Sequence, residues 1–213
     1  MTAVLFDMDG VVIDSETYWK RHQAEDLLPK LVPDEEVVPE EITGMFYKEI
    51  ADYLEETYGM AVSREDAIEL FEQTGRQIYS EEAEVVDGVP ELITELRERG
   101  VSVSLVTSSP YHWIDLVLER LELTDAFDAV VSGADVEDGK PAPDIFERAA
   151  RQAGEDPSDC IAIEDSTNGA AAAKAAGAFT IGFTGVHDEM DHSIPDVVAR
   201  NPEELRERIL ERL

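Results

Sequence analysis

Two aspartates, Asp7 and Asp9, lie two residues apart near the start of the sequence, directly after the apolar run 3–6. In an extended chain, residues i and i+2 point to the same side, so both carboxylates can reach one small volume. Two acids held this close repel each other, and a shared proton or a divalent cation would explain the pairing. The alternative is a strand that simply ends in an acidic turn.

Polar side chains with complementary chemistry follow the other predicted strands. In an open parallel sheet the carboxyl ends of the strands form the ligand-binding edge. Carboxylate oxygens there suit Mg²⁺, and a threonine with the amides after it suits a phosphate at the start of a helix. A lysine in a nearby loop supplies the balancing positive charge. The residues that predict this phosphate and Mg²⁺ site are Asp7, Asp9, Thr107, Ser108, Lys140, Glu164 and Asp165.

The elements that must position these residues alternate between strand and helix from residue 89 onward. This alternation predicts an α/β fold with a doubly wound parallel sheet. One helix is expected to begin with Ser109 as its cap and Pro110 as its first residue. Strands are predicted at 3–6, 101–106, 129–131, 160–163, 179–182 and 197–198, and helices at 89–99, 110–120, 144–153, 168–176 and 202–213.

Residues after Asp14 change from strand to helix patterning, and no convincing strand lies between 15 and 84. We predict a helix from Glu16 that is capped by Asp14 or Ser15. Prolines at 29 and 33 are expected to break this helix, because proline lacks the amide hydrogen that a helix interior needs.

Two further helices are predicted in this segment, over 43–58 and from Ser63, which forms a capping box with Asp66. The segment therefore reads as a small helical bundle inserted after the first strand. We predict two domains, a core of residues 1–14 and 86–213 and a helical cap of residues 15–85, with hinges near the two junctions.

The composition excludes several classes of partner. The chain has 213 residues with a formal net charge of −32, from 49 acidic against 17 basic residues. Nucleic acids and anionic membranes are disfavoured, because both need cationic contacts. The acidic excess is spread along the chain, which resembles proteins of salt-in halophiles, so we hypothesise a halophilic protein whose self-repulsion salt screens.

A single cysteine, Cys160, rules out an intrachain disulfide, which fits a reducing cytoplasm. Cys160 opens an apolar run, so a buried core position is expected. No apolar run approaches the ~20 residues of a membrane span, and we see no signal peptide. We therefore expect a cytoplasmic protein, either a monomer or a weak dimer.

Four stretches of the sequence resemble the motifs of the haloacid dehalogenase (HAD) superfamily. They occur in the order of that superfamily, and the resemblance covers nearly the whole chain. The likeness is strongest to the branch with a helical cap after the first strand, which contains β-phosphoglucomutase and sugar-phosphate phosphatases. The stretches are DMDGVVIDSE (7–16), VTSS (106–109), GKPAPDIF (139–146) and IEDSTNG (163–169).

The resemblance implies that Asp7 is a nucleophile that attacks phosphorus and forms an aspartyl-phosphate. Its other oxygen would bind Mg²⁺. Asp9 would act first as the general acid for the leaving oxygen and then as the base for water, with its backbone carbonyl on the metal.

The remaining motif residues receive supporting roles from the same resemblance. Thr107 and the Ser108 amide would hold the transferred phosphoryl group, and Lys140 would neutralise the charge that develops there. Asp165 would complete the metal site, with Glu164 binding directly or through water. Without its motif, Lys140 would read as a solvated surface lysine.

Two features of the resemblance bear on the reaction. Asp9 favours phosphoryl transfer over dehalogenation or phosphonate cleavage. The chain has Trp19 where β-phosphoglucomutase has a histidine, and Tyr47 where an arginine is expected three residues after Gly44. These losses favour a phosphatase acting on a small phosphorylated metabolite, such as a sugar phosphate.

Two alternatives stay open, a phosphomutase of the β-phosphoglucomutase type and a phosphometabolite-binding protein without useful turnover. Our candidates for substrate contacts from the cap are Trp19, Tyr47, Lys48 and Arg76. Aromatic residues at helical spacing are usually core residues of a bundle.

Overall fold

A computed structural model describes residues 3–35, 37, 42 and 45–213 of the chain. Its centre is a parallel six-stranded sheet with the order β5-β4-β1-β6-β7-β8. The strands are β1 (Ala3–Phe6), β4 (Ser102–Thr107), β5 (Ala129–Ser132), β6 (Cys160–Glu164), β7 (Phe179–Phe183) and β8 (Val197–Ala199). The predicted α/β fold with a parallel sheet is confirmed.

Helices cover both faces of this sheet. They are α5 (Val89–Glu98), α6 (Tyr111–Arg120), α7 (Asp144–Ala153), α8 (Thr167–Ala176) and α9 (Pro202–Leu210). Ala3 and Leu5 pack with apolar residues of α7 and α8, whereas Val4 and Phe6 pack with those of α5 and α9. Alternate residues of β1 therefore enter opposite layers, as the two-residue period of a strand requires, and the sheet is doubly wound.

The segment between β1 and α5 is helical, with a short antiparallel ribbon at its base. The ribbon pairs β2 (Ile13–Asp14) with β3 (Glu84–Val85), and the sequence did not predict it. The helices are α1 (Glu16–His22), α2 (Leu28–Leu31), α3 (Tyr47–Thr57) and α4 (Arg64–Gln77), with π-helical turns at Gln23–Leu27 and Ile78–Glu82. The division into core and cap domains stays a prediction.

Two helix caps follow the sequence analysis. The Asp14 carboxylate accepts a hydrogen bond from the Thr17 amide at 3.1 Å, at the start of α1. The Ser63 hydroxyl accepts one from the Asp66 amide at 3.1 Å, which confirms the predicted start of α4. The predicted helix over 43–58 is described from Tyr47 onward, and residues 43 and 44 lie outside the described part of the chain.

Two predicted details are wrong. Pro29 does not break the first helix but lies in α2, because the π-helical turn before it opens the backbone where the proline ring would otherwise clash. Ser109 does not cap α6. Pro110 occupies the cap position there, and the Ser109 hydroxyl turns instead toward Asp9.

Within the described residues, no helix combines the length and the apolar character needed to cross a membrane.

Candidate active site

Lys140 and Asp7 form a buried ion pair at the carboxyl edge of the sheet. Asp7 follows β1, and its amide donates to the Ile163 carbonyl of β6 at 3.0 Å. The Lys140 ammonium lies 2.5 Å from a carboxylate oxygen of Asp7 and 2.6 Å from one of Glu164. All three side chains are at most 8% exposed. The loop lysine is therefore fixed between the ends of two neighbouring strands.

The charges in this pair oppose the effect of burial. Burial alone would lower the pKa of Lys140, but the carboxylates of Asp7 and Glu164 outweigh it and raise that pKa above its ordinary value. Burial raises the pKa of Asp7, and Lys140 counteracts this rise. One ammonium is thus shared by two buried carboxylates.

A third acid completes a compact group of oxygen donors. Carboxylate oxygens of Asp7, Glu164 and Asp165 lie within 4.8 Å of one another. Burial raises the pKa of Asp165, and the charges of Glu16 and Asp7 add to the rise. Lys140 brings one positive charge against three carboxylates. The hard oxygen donors and the uncompensated negative charge therefore fit a divalent cation such as Mg²⁺.

Two glycines let the backbone approach this acidic group. Gly10 has a φ of +77°, and a Cβ atom there would overlap the Asp165 carboxylate. A Cβ atom at Gly169, in the first turn of α8, would overlap the Glu164 carboxylate. Ser166 caps α8 through the Gly169 amide and also donates to Glu164 at 3.1 Å. The turn after β6 thus brings both acids to the site, although neighbours on a strand point in opposite directions.

Asp9 is surrounded by hydroxyl groups. Ser15 and Tyr79 donate to one of its carboxylate oxygens at 2.5 and 2.7 Å. Ser109 and Thr107 donate to the other oxygen at 3.0 and 3.3 Å. Hydrogen bonds to a charged group are stronger than those between neutral groups. The arrangement therefore fixes the orientation of the Asp9 carboxylate beside Asp7.

Thr107 ends β4 and shapes the turn that leads to α6. Its hydroxyl accepts a hydrogen bond from the Ser109 amide at 3.0 Å, in addition to contacting Asp9. Thr107, Ser108 and Ser109 all face the same cavity as Asp7. Backbone amides at the start of a helix suit an anion, so this turn can hold a phosphoryl group.

The cavity has a volume of about 70 Å³ and lies between the sheet edge and the helical segment. Trp19 and Tyr47 line it, as does Trp113 of α6. The Trp19 and Trp113 ring centres are 5.7 Å apart, and those of Tyr47 and Trp113 are 4.9 Å apart. Besides the polar residues at the strand ends, the cavity is lined by Glu16, Trp19, Gln23, Ile42, Met45, Tyr47, Ile50, Phe71, Tyr79 and Trp113.

Lys48 and Arg76 do not line the cavity, and both are exposed. Successive residues of a helix are rotated by about 100° around its axis. Since Tyr47 and Gly75 are buried, their successors point elsewhere. The Lys48 ammonium instead lies 5.6 Å from the ring centre of Tyr47. These two predicted substrate contacts are therefore not brought to the site.

Sequence reasoning missed several residues of the site, chiefly Tyr79, Ser109 and Glu16. Burial and the nearby Asp9 charge raise the pKa of Tyr79 well above its ordinary value, so its hydroxyl remains a donor. The Tyr79 hydroxyl also accepts from the Trp19 indole at 3.1 Å. Ser109 and Glu16 lie inside the motifs 106–109 and 7–16, so their position in the sequence could have indicated a place in the site. Tyr79 is separated from Asp9 by 70 residues and gave no signal.

Comparison with known proteins places this arrangement in a family. Residues 1–177 match the haloacid dehalogenase-like hydrolase family. Hexitol phosphatase B of Escherichia coli is 33% identical over 82% of this chain and 79% of its own length. The beta-phosphoglucomutase of Bacillus subtilis is 30% identical over 85% of this chain and 83% of its own.

A solved structure shares the fold. The beta-phosphoglucomutase of Clostridium difficile superimposes with a TM-score of 0.79 at 23% identity, covering 99% of this chain and 96% of that one. The match to this family, over residues 1–177, runs from the first strand through α8. It includes every polar residue of the site described above. The chain therefore belongs to the haloacid dehalogenase-like hydrolases, and it is an enzyme that hydrolyses phosphate monoesters.

Proposed function

We propose that this protein is a Mg²⁺-dependent phosphatase that hydrolyses a small phosphorylated metabolite, a sugar phosphate, through an aspartyl-phosphate. The observation that carries the proposal is the Asp7 carboxylate, held at 2.5 Å by the Lys140 ammonium with Glu164 and Asp165 beside it. This arrangement positions one oxygen nucleophile, pairs it with a positive charge and surrounds it with donors for a divalent cation.

In the first step, an Asp7 oxygen attacks phosphorus and the bond from phosphorus to the leaving oxygen breaks. Asp9, placed beside Asp7, protonates that oxygen as the alcohol departs. In the second step, Asp9 takes a proton from water, whose oxygen attacks the phosphorus of the aspartyl-phosphate. Inorganic phosphate leaves and the Asp7 carboxylate is restored, so the net reaction consumes one water.

The other residues act on charge and position. Lys140 neutralises negative charge on Asp7 and on the phosphoryl group, and Thr107 and Ser108 hold that group in line. Asp7, Glu164 and Asp165 would hold Mg²⁺, with the Asp9 carbonyl as a further donor. When bound, the cation would offset the charge of the phosphoryl oxygens and of the acids around them.

We assign the helical segment, residues 15–85, the role of a cap over the core. Its support is the cavity itself, since Trp19 and Tyr47 of this segment face the sheet edge that carries Asp7. Closing the segment over a substrate would exclude bulk water while the aspartyl-phosphate exists. The β2-β3 ribbon, at residues 13–14 and 84–85, lies at the junctions where we place the hinges.

A phosphatase is favoured over a phosphomutase by the charges around the cavity. A mutase must hold a second phosphate while the substrate reorients. Along the described lining, Lys140 is the one cationic side chain, and it is already paired with Asp7 and Glu164. A second phosphate would therefore lack a positive partner in this cavity.

The test is phosphate release from p-nitrophenyl phosphate with MgCl₂ and with EDTA. We expect release that requires the metal and that the Asp7→Asn variant loses by at least about 10³-fold, because the amide cannot attack phosphorus. Asp34→Asn, an exposed aspartate of the helical segment, serves as the matched control and should keep the activity. Equal rates for wild type and Asp7→Asn would refute the proposed reaction through an aspartyl-phosphate on Asp7.

A further inference from the structure

Ser132 is a fully buried serine at the end of β5, and it does not line the cavity of the candidate active site. Strand β5 lies beside β4, and Ser132 pairs in register with Thr107. The Ser132 hydroxyl donates a hydrogen bond to the Ser109 carbonyl at 2.7 Å. Ser132 therefore holds the turn 107–109, to which we assign the phosphoryl group, without reaching the cavity itself.

The Ser109 carbonyl depends on this hydrogen bond. Ser109 is 5% exposed and precedes Pro110, the cap residue of α6, so its carbonyl lies ahead of the hydrogen bonds within that helix. A buried carbonyl without a donor is costly, and nearly all such groups are paired. The other polar groups of Ser109 also have partners, since its amide donates to the Thr107 hydroxyl and its hydroxyl to Asp9, both at 3.0 Å. The bond from Ser132 thus completes the set that fixes this turn.

The Ser132 side chain is itself held in one orientation. Its hydroxyl accepts a hydrogen bond from the Ala134 amide at 3.1 Å, and its own amide donates to the Asp135 carboxylate at 3.2 Å. Both bonds belong to the short 3₁₀ turn Gly133–Asp135 that follows β5. A serine hydroxyl has one proton, and here that proton is directed at the Ser109 carbonyl.

Gly133 brings the same segment close to the backbone of the turn. A Cβ atom at Gly133 would lie 2.8 Å from the Ser108 carbonyl oxygen and 3.1 Å from the Ser108 Cα atom. These are backbone atoms, which cannot rotate aside as the end of a flexible side chain can. Two consecutive residues at the end of β5 therefore contact two consecutive residues of the turn, one by a hydrogen bond and one by close packing.

We propose that Ser132 is a positioning residue for phosphoryl binding, and that Gly133 leaves the space this contact requires. Ser132 fixes the turn 107–109, so that the Thr107 hydroxyl and the amides of the turn stay directed at the phosphoryl group. This inference rests on the proposed phosphatase function and adds to it a strand whose end supports the site from outside the cavity.

The proposed role has a signature in the kinetics. A loosened turn holds the phosphoryl group less well in the ground state and in the transition state alike, which raises KM and leaves kcat nearly unchanged. The effect should not depend on the leaving group, because the turn contacts only the phosphoryl end of the substrate. Asp9 keeps its hydrogen bonds from Ser15 and Tyr79, so the proton transfer should be preserved.

The experiment measures kcat, KM and the inhibition constant of inorganic phosphate, with p-nitrophenyl phosphate and phenyl phosphate as substrates. In Ser132→Ala we expect both KM values and the inhibition constant to rise by about five- to tenfold, because the Ser109 carbonyl loses its donor and the turn shifts. Gly133→Ala should raise the same three constants by displacing the Ser108 backbone, although it removes no side-chain hydrogen bond.

Ser104→Ala is the matched control, since it makes the same substitution in the neighbouring strand β4. Ser104 is fully buried, and its hydroxyl has no hydrogen-bond partner among the described residues. This variant should keep all three constants at their wild-type values. Thermal unfolding checks that each variant is folded, and Gly133→Ala decides the matter alone if Ser132→Ala does not fold.

Constants within about twofold of the wild type in folded Ser132→Ala would overturn the inference and leave the phosphatase standing. A loss confined to kcat, or one greater for phenyl phosphate than for p-nitrophenyl phosphate, would also overturn it, because such a loss indicates an effect on Asp9. Absence of phosphate release from both esters by the wild type would overturn the proposed function, and the inference with it.

Discussion

The two walls of the cavity are built differently. On the sheet wall, Lys140, Asp7 and Glu164 are locked by short ion pairs to strand ends whose backbone is itself hydrogen-bonded. On the helical wall, Trp19 and Tyr47 are held mostly by ring contacts with other aromatic residues. Ion pairs with fixed geometry suit chemistry that tolerates little displacement, whereas packed rings can accommodate leaving groups of different shape.

Tyr79 joins the two walls. It belongs to the π-helical turn after α4, yet its hydroxyl reaches Asp9 on the sheet side and contacts the Trp19 indole on the helical side. Its ring also stacks on Trp113, with centres 5.4 Å apart. The orientation of Asp9 therefore depends on a residue of the helical segment. We therefore expect substitutions on the sheet wall to reduce activity on every substrate. Substitutions on the helical wall should instead change the preference between substrates.

Apart from loss of the nucleophile itself, the largest effect is expected for Lys140→Met, which removes the ammonium of the sheet wall. Activity should fall by about 10²–10³-fold on every phosphate ester, because charge on the phosphoryl group loses its partner. Stability should fall by about 3–5 kcal/mol, since two buried carboxylates lose their counter-charge. Phosphate release and urea denaturation without added metal measure the two effects.

Lys174→Met is the matched control for that substitution. Lys174 forms an ion pair with Asp196 at a similarly short distance, 2.7 Å, but both side chains are about a third exposed. An exposed pair contributes about 0–1 kcal/mol, so the control should be nearly as stable as the wild type. Equal losses in the two variants would contradict the distinction between a buried and an exposed pair.

The next effect is expected for Tyr79→Phe, which removes a donor to Asp9 at 2.7 Å. If Asp9 protonates the leaving oxygen, the variant should lose about tenfold in kcat on an alkyl phosphate, whose alcohol needs the proton. The loss on p-nitrophenyl phosphate should be smaller, because nitrophenolate leaves without help. A loss that is equal for both substrates would indicate damage to the fold instead.

Tyr111→Phe provides the comparison for Tyr79. Tyr111 also donates to a carboxylate, that of Asp135 at 2.5 Å, but it is 41% exposed and lies at the start of α6. This variant should keep the ratio of the two rates. Combining Tyr79→Phe with Asp9→Asn should add little to the effect of Asp9→Asn alone, because the tyrosine acts through that aspartate.

A smaller effect is expected from salt, which acts on the stability of the fold through the charged surface outside both walls. With a net charge of −32, the chain should gain stability as salt screens its self-repulsion. We expect the midpoint of thermal unfolding to rise between about 0.1 and about 2 M KCl, over which the Debye length shrinks from about 10 Å to under 3 Å. A midpoint independent of salt would refute the halophilic hypothesis.

The smallest effect is expected for an exposed ion pair between α5 and α9. Hydrogen bonds from Arg206 and Arg99 lower the pKa of Glu95 to about 2. A lowered carboxyl pKa stabilises the fold above the unfolded value of about 4.5, and this contribution is lost as the pH falls toward 2. Wild type should therefore exceed Glu95→Gln in thermal stability at neutral pH, and the gap should shrink below about pH 4.5.

The acids of the sheet wall could be predicted from the sequence because each of them lies at or next to a strand end. Asp7 directly follows the buried apolar run of β1, and Asp165 follows Glu164 at the end of β6. Parallel strands bring such positions to one edge of the sheet. Lys140 needed the surrounding motif, since its loop carries no strand of its own. The alternation of strands and helices was sufficient to predict the sheet.

The helical wall was less predictable, for reasons of long-range packing. The spacing of Trp19 and Tyr47 is more typical of bundle core than of substrate contacts. In the structure both residues line the cavity and also pack on other rings. The charge of Lys48 and Arg76 suits a phosphate, but charge alone says nothing about the side of the helix that a residue occupies. Tyr79 meets Asp9 across 70 residues of sequence, through tertiary packing that no local pattern predicts.

Cys160 gives the fold a built-in chemical reporter. It opens β6, beside β1 at the centre of the sheet, and is 1% exposed. Burial, with the charges of Glu155 and Asp159, raises the pKa of its thiol to about 11. The reactive thiolate is therefore scarce and shielded until the sheet opens. Since the chain has one cysteine, the rate at which an alkylating reagent labels it reports how often the central sheet opens at that position, without any engineered probe.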